Sequence, residues 1–406
     1  MPEKVVRLDA GTPPHATHTP TALQGWVLVA TAWLSVLAST LIGPILPTMT
    51  AAFRSTPSVD LKISLVSTLP ALFVALLATP FGLLADRFGR RRVLLWSLGL
   101  YGVVGTAPLW LQSLNGIVGS RVLVGIAEAA VMTCGTALIG DYFNGSARER
   151  WLAMQTGTSP FVSTAMLALG GVLGETSWRS PFAVYAFGFI LVPLVLLLIR
   201  EPDRAHQSTS STSTATTEFP WRRLLWINLV TVFALSAFLV TIIQSSFLLT
   251  ERGVTSPGTI GLWTAVASLA NPLGALLFIL VPWGTSARLL FSFACMAAGF
   301  AVISLSSGPH AVVVGAGIAN LGAGFVLPTL ITWALSDLPS AQRGRGTGLW
   351  MSASFLGQFL SPQVILLLRN LTGSLDHAVL TYSVMCAAAA LLSLFGFSSP
   401  AKRVMP

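Results

Sequence analysis

Apolar residues run along this chain in long blocks separated by short polar turns, from Trp26 to Phe397. Each block is long enough to cross the hydrocarbon core of a bilayer as a helix, which takes about 20 residues. In the first half they fall near 24–46, 63–85, 93–112, 117–140, 151–174 and 181–199. In the second half they fall near 224–249, 258–282, 289–306, 311–335, 346–368 and 377–398. The pattern therefore predicts an all-α membrane protein with twelve transmembrane helices. Between the sixth and seventh blocks lies a polar stretch, 200–223, whose centre, Gln207 to Thr217, is almost wholly Ser and Thr. Such a tract buries too little apolar surface to fold and reads as a linker. The chain thus divides into a tail (1–23), a six-helix bundle (24–199), the linker (200–223), a second six-helix bundle (224–398) and a short tail (399–406).

The two bundles are expected to be pseudo-symmetric. Gly89, between blocks two and three, and Gly284, between blocks eight and nine, are each followed five residues later by Leu-Leu. At the same offset Arg148 and Arg150 correspond to Arg343 and Arg345, and Trp26 to Trp221. Parallel six-helix repeats are a known plan among membrane transporters.

Composition reinforces the membrane reading: 53% of residues are hydrophobic and 9% charged, against about a quarter charged in soluble domains. The net charge of +9 does not point to nucleic acid, because the basic residues sit in turns between apolar blocks rather than on one polar face. With the N-terminus inside, inner segments hold 17 Lys and Arg and outer ones five, Arg54, Lys62, Arg179, Arg252 and Arg369. Positive charge is retained on the cytoplasmic side, so both termini are expected there, in a multi-pass protein of the cell membrane. The first 23 residues lack an apolar stretch, so span one itself is expected to target the chain. Cys134, Cys295 and Cys386 lie far apart inside blocks and indicate neither disulfides nor a metal.

The turn Gly82 to Leu95, GLLADRFGRRRVLL, carries the most specific signal. It resembles the signature loop of the major facilitator superfamily: Gly, three residues, Asp, Arg, any residue, Gly, then basic residues. Gly82, Asp86, Arg87, Gly89, Arg90 and Arg91 fill the pattern. The resemblance, to the bacterial twelve-span efflux-like branch, implies two bundles around a central cavity that opens alternately to either side. It also implies that this loop latches the cytoplasmic side of the outward-open state, with Asp86 near Gly346 and the arginines of the fourth loop. The second copy, GTSARLL from Gly284, has lost the acid.

Arg121 and Glu128, with Gly125, share one face of span four. A charge at mid-bilayer costs roughly 2.5–3.5 kcal/mol on insertion scales, so such residues usually face a cavity or a partner. Arg121 and Gly125 match the family's span-four arginine and glycine, a position associated with proton coupling, although Val124 stands where the pattern has glutamine. Span one contains no acid. Glu128 is therefore the expected proton carrier and Arg121 its candidate partner, with an interhelical structural role as the alternative for both. Gln244, Asn271, Asn320, Gln358 and Gln363 are candidates to line a substrate cavity, Gln244, Asn271 and Gln358 favoured by their mid-span positions, with an interhelical bond as the alternative for each. Span five carries Gly170 and Gly171 but has Met166 and Leu167 where a drug-antiporter signature has Gly-Pro.

No nucleotide-binding loop and no convergent nucleophile or acid pair appears. His15, His18, His206, His310 and His377 are scattered over tails, turns and span ends. A secondary transporter without a cofactor is the leading expectation, exporting a small organic solute against protons. Uptake is the alternative within transport, and a transport-inactive sensor or scaffold the alternative outside it. The partners expected are a small-molecule substrate, protons and the lipid bilayer, and the chain is expected to act as a monomer.

Overall fold

The computed structural model describes residues 20–201, 219–336 and 338–396. The tails, most of the Ser/Thr linker, His15, His18 and His206 lie outside them. Among the described residues there is no strand, and twelve helices are long and apolar enough to cross a membrane. In order they are span one Ala22–Ala52, two Val59–Phe88, three Arg90–Leu109, four Leu114–Tyr142, five Gly145–Gly174 and six Ser180–Leu198. The second set is seven Trp221–Glu251, eight Pro257–Leu280, nine Thr285–Leu305, ten Pro309–Leu335, eleven Gln342–Thr372 and twelve Leu375–Leu394.

The helix starts follow local chemistry. Thr21 and Gln24 form a reciprocal capping box at span one, Thr21 N donating to Gln24 Oε1 at 2.8 Å. Ser113 caps span four and Ser256 caps span eight through backbone N–H groups, which satisfies donors that a helix leaves free at its start. Several helices run longer than the apolar blocks: span one extends to Ala52 and span five begins at Gly145. Span seven begins at Trp221, so Trp221, Arg222 and Arg223 belong to its helix rather than to the linker. Span eight is interrupted at Leu269, one turn before Pro272, which has no N–H to offer the Ser268 carbonyl.

Two cores form: Leu28, Leu34, Leu98, Ile117, Leu138 and Phe182 of the first set, joined by Leu239 and Ile242 of span seven, and Leu289, Phe293, Met296, Phe300 and Leu330 within the second. Gly89 and Gly284 both cap the third helix of their set, as the repeat predicts. Outward faces are apolar: Leu83, Trp96 and Leu197 are 71%, 83% and 79% exposed, which fits a bilayer as the surrounding solvent. Cys134 and Cys386 are buried, and all three cysteines are free.

The two sets meet along spans two and eleven and along spans five and eight. Ser352 donates to the Ala75 carbonyl at 2.9 Å and Gln363 to Thr68 Oγ1 at 3.3 Å. Thr164 and Ser268 hydroxyls share a hydrogen bond of 2.7 Å. Further toward one membrane face, Glu175 of the first set takes hydrogen bonds from the Ser256 hydroxyl and from Gly258 N, the latter at 2.7 Å. That face, the Glu175 end, is closed between the two sets; the opposite face is the Gly89 end.

Candidate functional site

Glu128 sits in the middle of span four and is 2% exposed. Ser35 of span one donates to its Oε1 at 2.5 Å, while Oε2 has no hydrogen-bond partner among the described residues. The carboxyl group borders a small cavity whose volume open to a water-sized sphere is about 10 Å³, the scale of one water. Its walls come from both sets of six. Spans one and two give Ser35, Ser39, Ser67 and Thr68; span seven gives Leu239; span eleven gives Phe355 and Gln358. A buried carboxylate oxygen without a partner normally demands an explanation. Here it faces space that both bundles enclose.

Arg121 is fully buried but does not face this cavity. Its Nη2 donates to the carbonyls of Val104 and Gly105 at 3.2 and 3.0 Å. Its guanidinium lies 5.1 and 4.9 Å from the ring centres of Phe182 and Tyr185, and Tyr185 stacks on Tyr101 at 5.4 Å. Spans three and six thus form an aromatic box around a cation, a favourable desolvated arrangement. Gly125, between the two charges, faces Pro70 of span two. No salt bridge joins Arg121 to Glu128 among the described residues: on one helix face they turn to different neighbours. The partial pairing expected of them is not made, because Arg121 leans toward spans three and six while Glu128 leans toward span one.

At the Gly89 end the signature loop forms a compact charge network. Arg90 reaches Asp86 at 2.9 Å and Asp141, at the end of span four, at 2.6 Å. Arg91 Nη2 donates to the Leu196 carbonyl at 2.7 Å, and Arg91 N donates to Glu201 Oε2 at 3.1 Å. Gly89 has φ +100°, and a Cβ there would lie 2.9 Å from the Glu201 carboxylate. Only glycine meets both conditions. Tyr142 clasps the backbone of Arg200, donating to its carbonyl at 2.9 Å and accepting from its N at 2.5 Å. The groups nearest Gly346 are Leu338 and Leu335, and Asp86, 56% exposed at its side chain, bonds Arg90. The outward-open contact implied for Asp86 and Gly346 is thus not the one made here. Gly82 lies near Thr133, and Arg87 stacks on Phe88 at 5.5 Å.

Of the other polar candidates, Gln358 joins Glu128 at the cavity and Gln363 binds Thr68. Asn320 Oδ1 accepts from Thr241 at 3.2 Å. Gln244 is 6% exposed, and Asn271 is buried with Nδ2 unpartnered among the described residues; neither lines the Glu128 cavity.

A sequence profile of the Major Facilitator Superfamily matches residues 28–362. The chain belongs to this superfamily. Among its relatives is the multidrug efflux pump LfrA of Mycolicibacterium smegmatis, 33% identical over 45% of this chain and 36% of that protein. The class C tetracycline resistance protein of Escherichia coli is 32% identical over 42% of each. The matched region therefore spans less than half the length of these two relatives. A solved structure of the xylose transporter XylE from E. coli, in an inward open conformation, shares the fold: TM-score 0.74, 14% identity, 93% of this chain and 97% of that one.

Other residues of this superfamily member matter to the geometry without standing out in the sequence, among them Asp141, Phe182 and Glu201. Ser35 is small and polar within an apolar run, a signal that was available. Tyr101 and Tyr185 look like ordinary core aromatics until the fold sets them against Arg121. Glu175 looks like a solvated turn residue until span eight is brought beneath it.

Proposed function

We propose that this chain is a secondary transporter that moves a small organic solute by alternating access and exports it in exchange for protons. The carrying observation is Glu128. Among the described acidic residues it is the one at mid-span, and its free oxygen borders a cavity walled by both bundles. A proton taken up there is held where the two bundles meet, so its presence alters what they enclose. The efflux named for the relative LfrA supports export.

In this reading Glu128 carries the proton, and Arg121, held in its aromatic box, fixes the local positive field of span four. Gln358 contacts solute at the cavity, and Gln244 and Asn271 contact it as the cavity enlarges. Gly82, Asp86, Arg87, Gly89, Arg90 and Arg91 form the conformational latch of the cytoplasmic side, where both termini and the linker lie, with the protein in the cell's inner membrane. The closed Glu175 end is one end-state of the cycle.

The test is transport by the full chain in proteoliposomes, with candidate labelled solutes and pH gradients of either sign. Wild type should accumulate solute only with a gradient of the correct sign. Glu128→Gln should lose this accumulation and keep solute-for-solute exchange, which needs no net proton movement. Accumulation retained in Glu128→Gln would reject the proton-carrier role.

A further inference from the structure

We infer that the groove between spans two and three at the Gly89 end is a binding site for an anionic phospholipid, with Arg92 as the headgroup ligand. The groove is lined by Phe81, Leu84, Phe88, Arg92, Val93 and Trp96, along with Ser97, and has a volume of about 390 Å³, within the range of small-molecule pockets. Its rim is exposed: Leu84 40%, Phe88 53% and Trp96 83%. In a chain embedded in a bilayer these side chains meet acyl chains rather than water.

The charge at its edge selects the headgroup. Arg90, Arg91 and Arg92 occupy the first turn of span three, where the helix dipole is positive and cations are unfavourable. For Arg90 the conflict is relieved by Asp86 and Asp141. At Arg91 the Glu201 carboxylate accepts from the backbone N–H, and the guanidinium donates to the Leu196 carbonyl. Arg92 has neither a carboxylate nor a hydrogen-bond partner among the described residues. It lies in the groove wall beside Trp96, an aromatic of the kind that settles at headgroup depth. An unpaired guanidinium on a dipole-positive helix start, above an apolar trough open to lipid, fits a phosphodiester with acyl chains: the phosphate meets Arg92 and a chain lies over Phe81, Leu84 and Trp96. A zwitterionic lipid offers no net charge to offset Arg92, and a free phosphate cannot fill the trough.

Native mass spectrometry of the delipidated full chain tests this, titrating phosphatidylglycerol, phosphatidylcholine of identical acyl chains, and glycerol phosphate without chains. Wild type should bind phosphatidylglycerol most tightly. Arg92→Gln should weaken that binding about fivefold, the effect of one basic residue near a lipid surface. Arg92→Lys should keep most of it, and Arg54→Gln at the opposite end should leave it unchanged. Equal binding of the two lipids, equal losses in Arg92→Gln and Arg54→Gln, or comparable binding of glycerol phosphate would each overturn the site. Should Arg92→Gln fail to fold, a diazirine-bearing phosphatidylglycerol added to wild type in bilayers should label peptides within residues 81–97. Labelling spread evenly over all spans would also overturn it.

Discussion

Two adjacent glycines in span five separate folding from conformational balance. A Cβ at Gly170 would lie 1.9 Å from the carbonyl oxygen of Leu41, within the same bundle. A Cβ at Gly171 would lie 2.5 Å from the Pro257 carbonyl oxygen and 2.7 Å from Gly261 Cα, across the boundary between bundles. These neighbours are backbone atoms, so neither clash is relieved by a side-chain rotation. Overpacking of this kind costs about 1–3 kcal/mol. For Gly170→Ala the cost falls on every folded state and should appear as a lower melting temperature. For Gly171→Ala it falls on the state closed at the Glu175 end and should shift the closed-to-open ratio by about 5–150-fold. Spin labels at the exposed positions Thr176 and Thr255, one on each bundle, report that ratio by pulsed electron resonance once the native cysteines are replaced. Gly171→Ala should move population to longer distances with little change in melting temperature. An unchanged distance distribution in Gly171→Ala, or the same redistribution in Gly170→Ala, would refute the argument.

Other consequences concern the charged groups at the two ends. The Ser256 hydroxyl and Gly258 N–H hold the Glu175 carboxyl below the ordinary glutamate value of 4.5. Its lowered value means the bridge is fully present above pH 4.5 and is lost only as pH falls through the lower folded value. The Thr176–Thr255 distance should therefore stay constant from pH 7 to 5, and lengthening within that window would contradict the assignment. At the other end, Gly89→Ala should destabilise the protein by about 1–2 kcal/mol through its left-handed backbone alone, plus the clash with Glu201. Combining it with Glu201→Ala should cost less than the sum of the two, measured by melting of both singles and the double, and strict additivity would argue against the contact. Asp86→Asn should change melting by less than about 1 kcal/mol, because an exposed pair contributes little and Asp141 still holds Arg90. Transport rates should nonetheless fall; normal rates would remove Asp86 from the latch.

Span number and the superfamily were legible in the residues because they rest on local quantities. Apolar run length answers to bilayer thickness, and the spacing of Gly82, Asp86 and Gly89 answers to the geometry of one tight turn. Glu128 could be singled out for the same reason, since a charge in an apolar block is costly wherever the chain goes. Its partners could not be read. The face shared by Arg121, Gly125 and Glu128 suggested one joint site, but which neighbours a helix face meets depends on how five other helices pack around it. Tertiary packing turned Arg121 into a box of Phe182 and Tyr185 and Glu128 toward Ser35, residues 61 and 93 positions away in the chain. The same holds for Glu175 and Glu201, which look like solvated acids in sequence. One bridges the two bundles and the other caps span three, because long-range packing delivered a helix start to each.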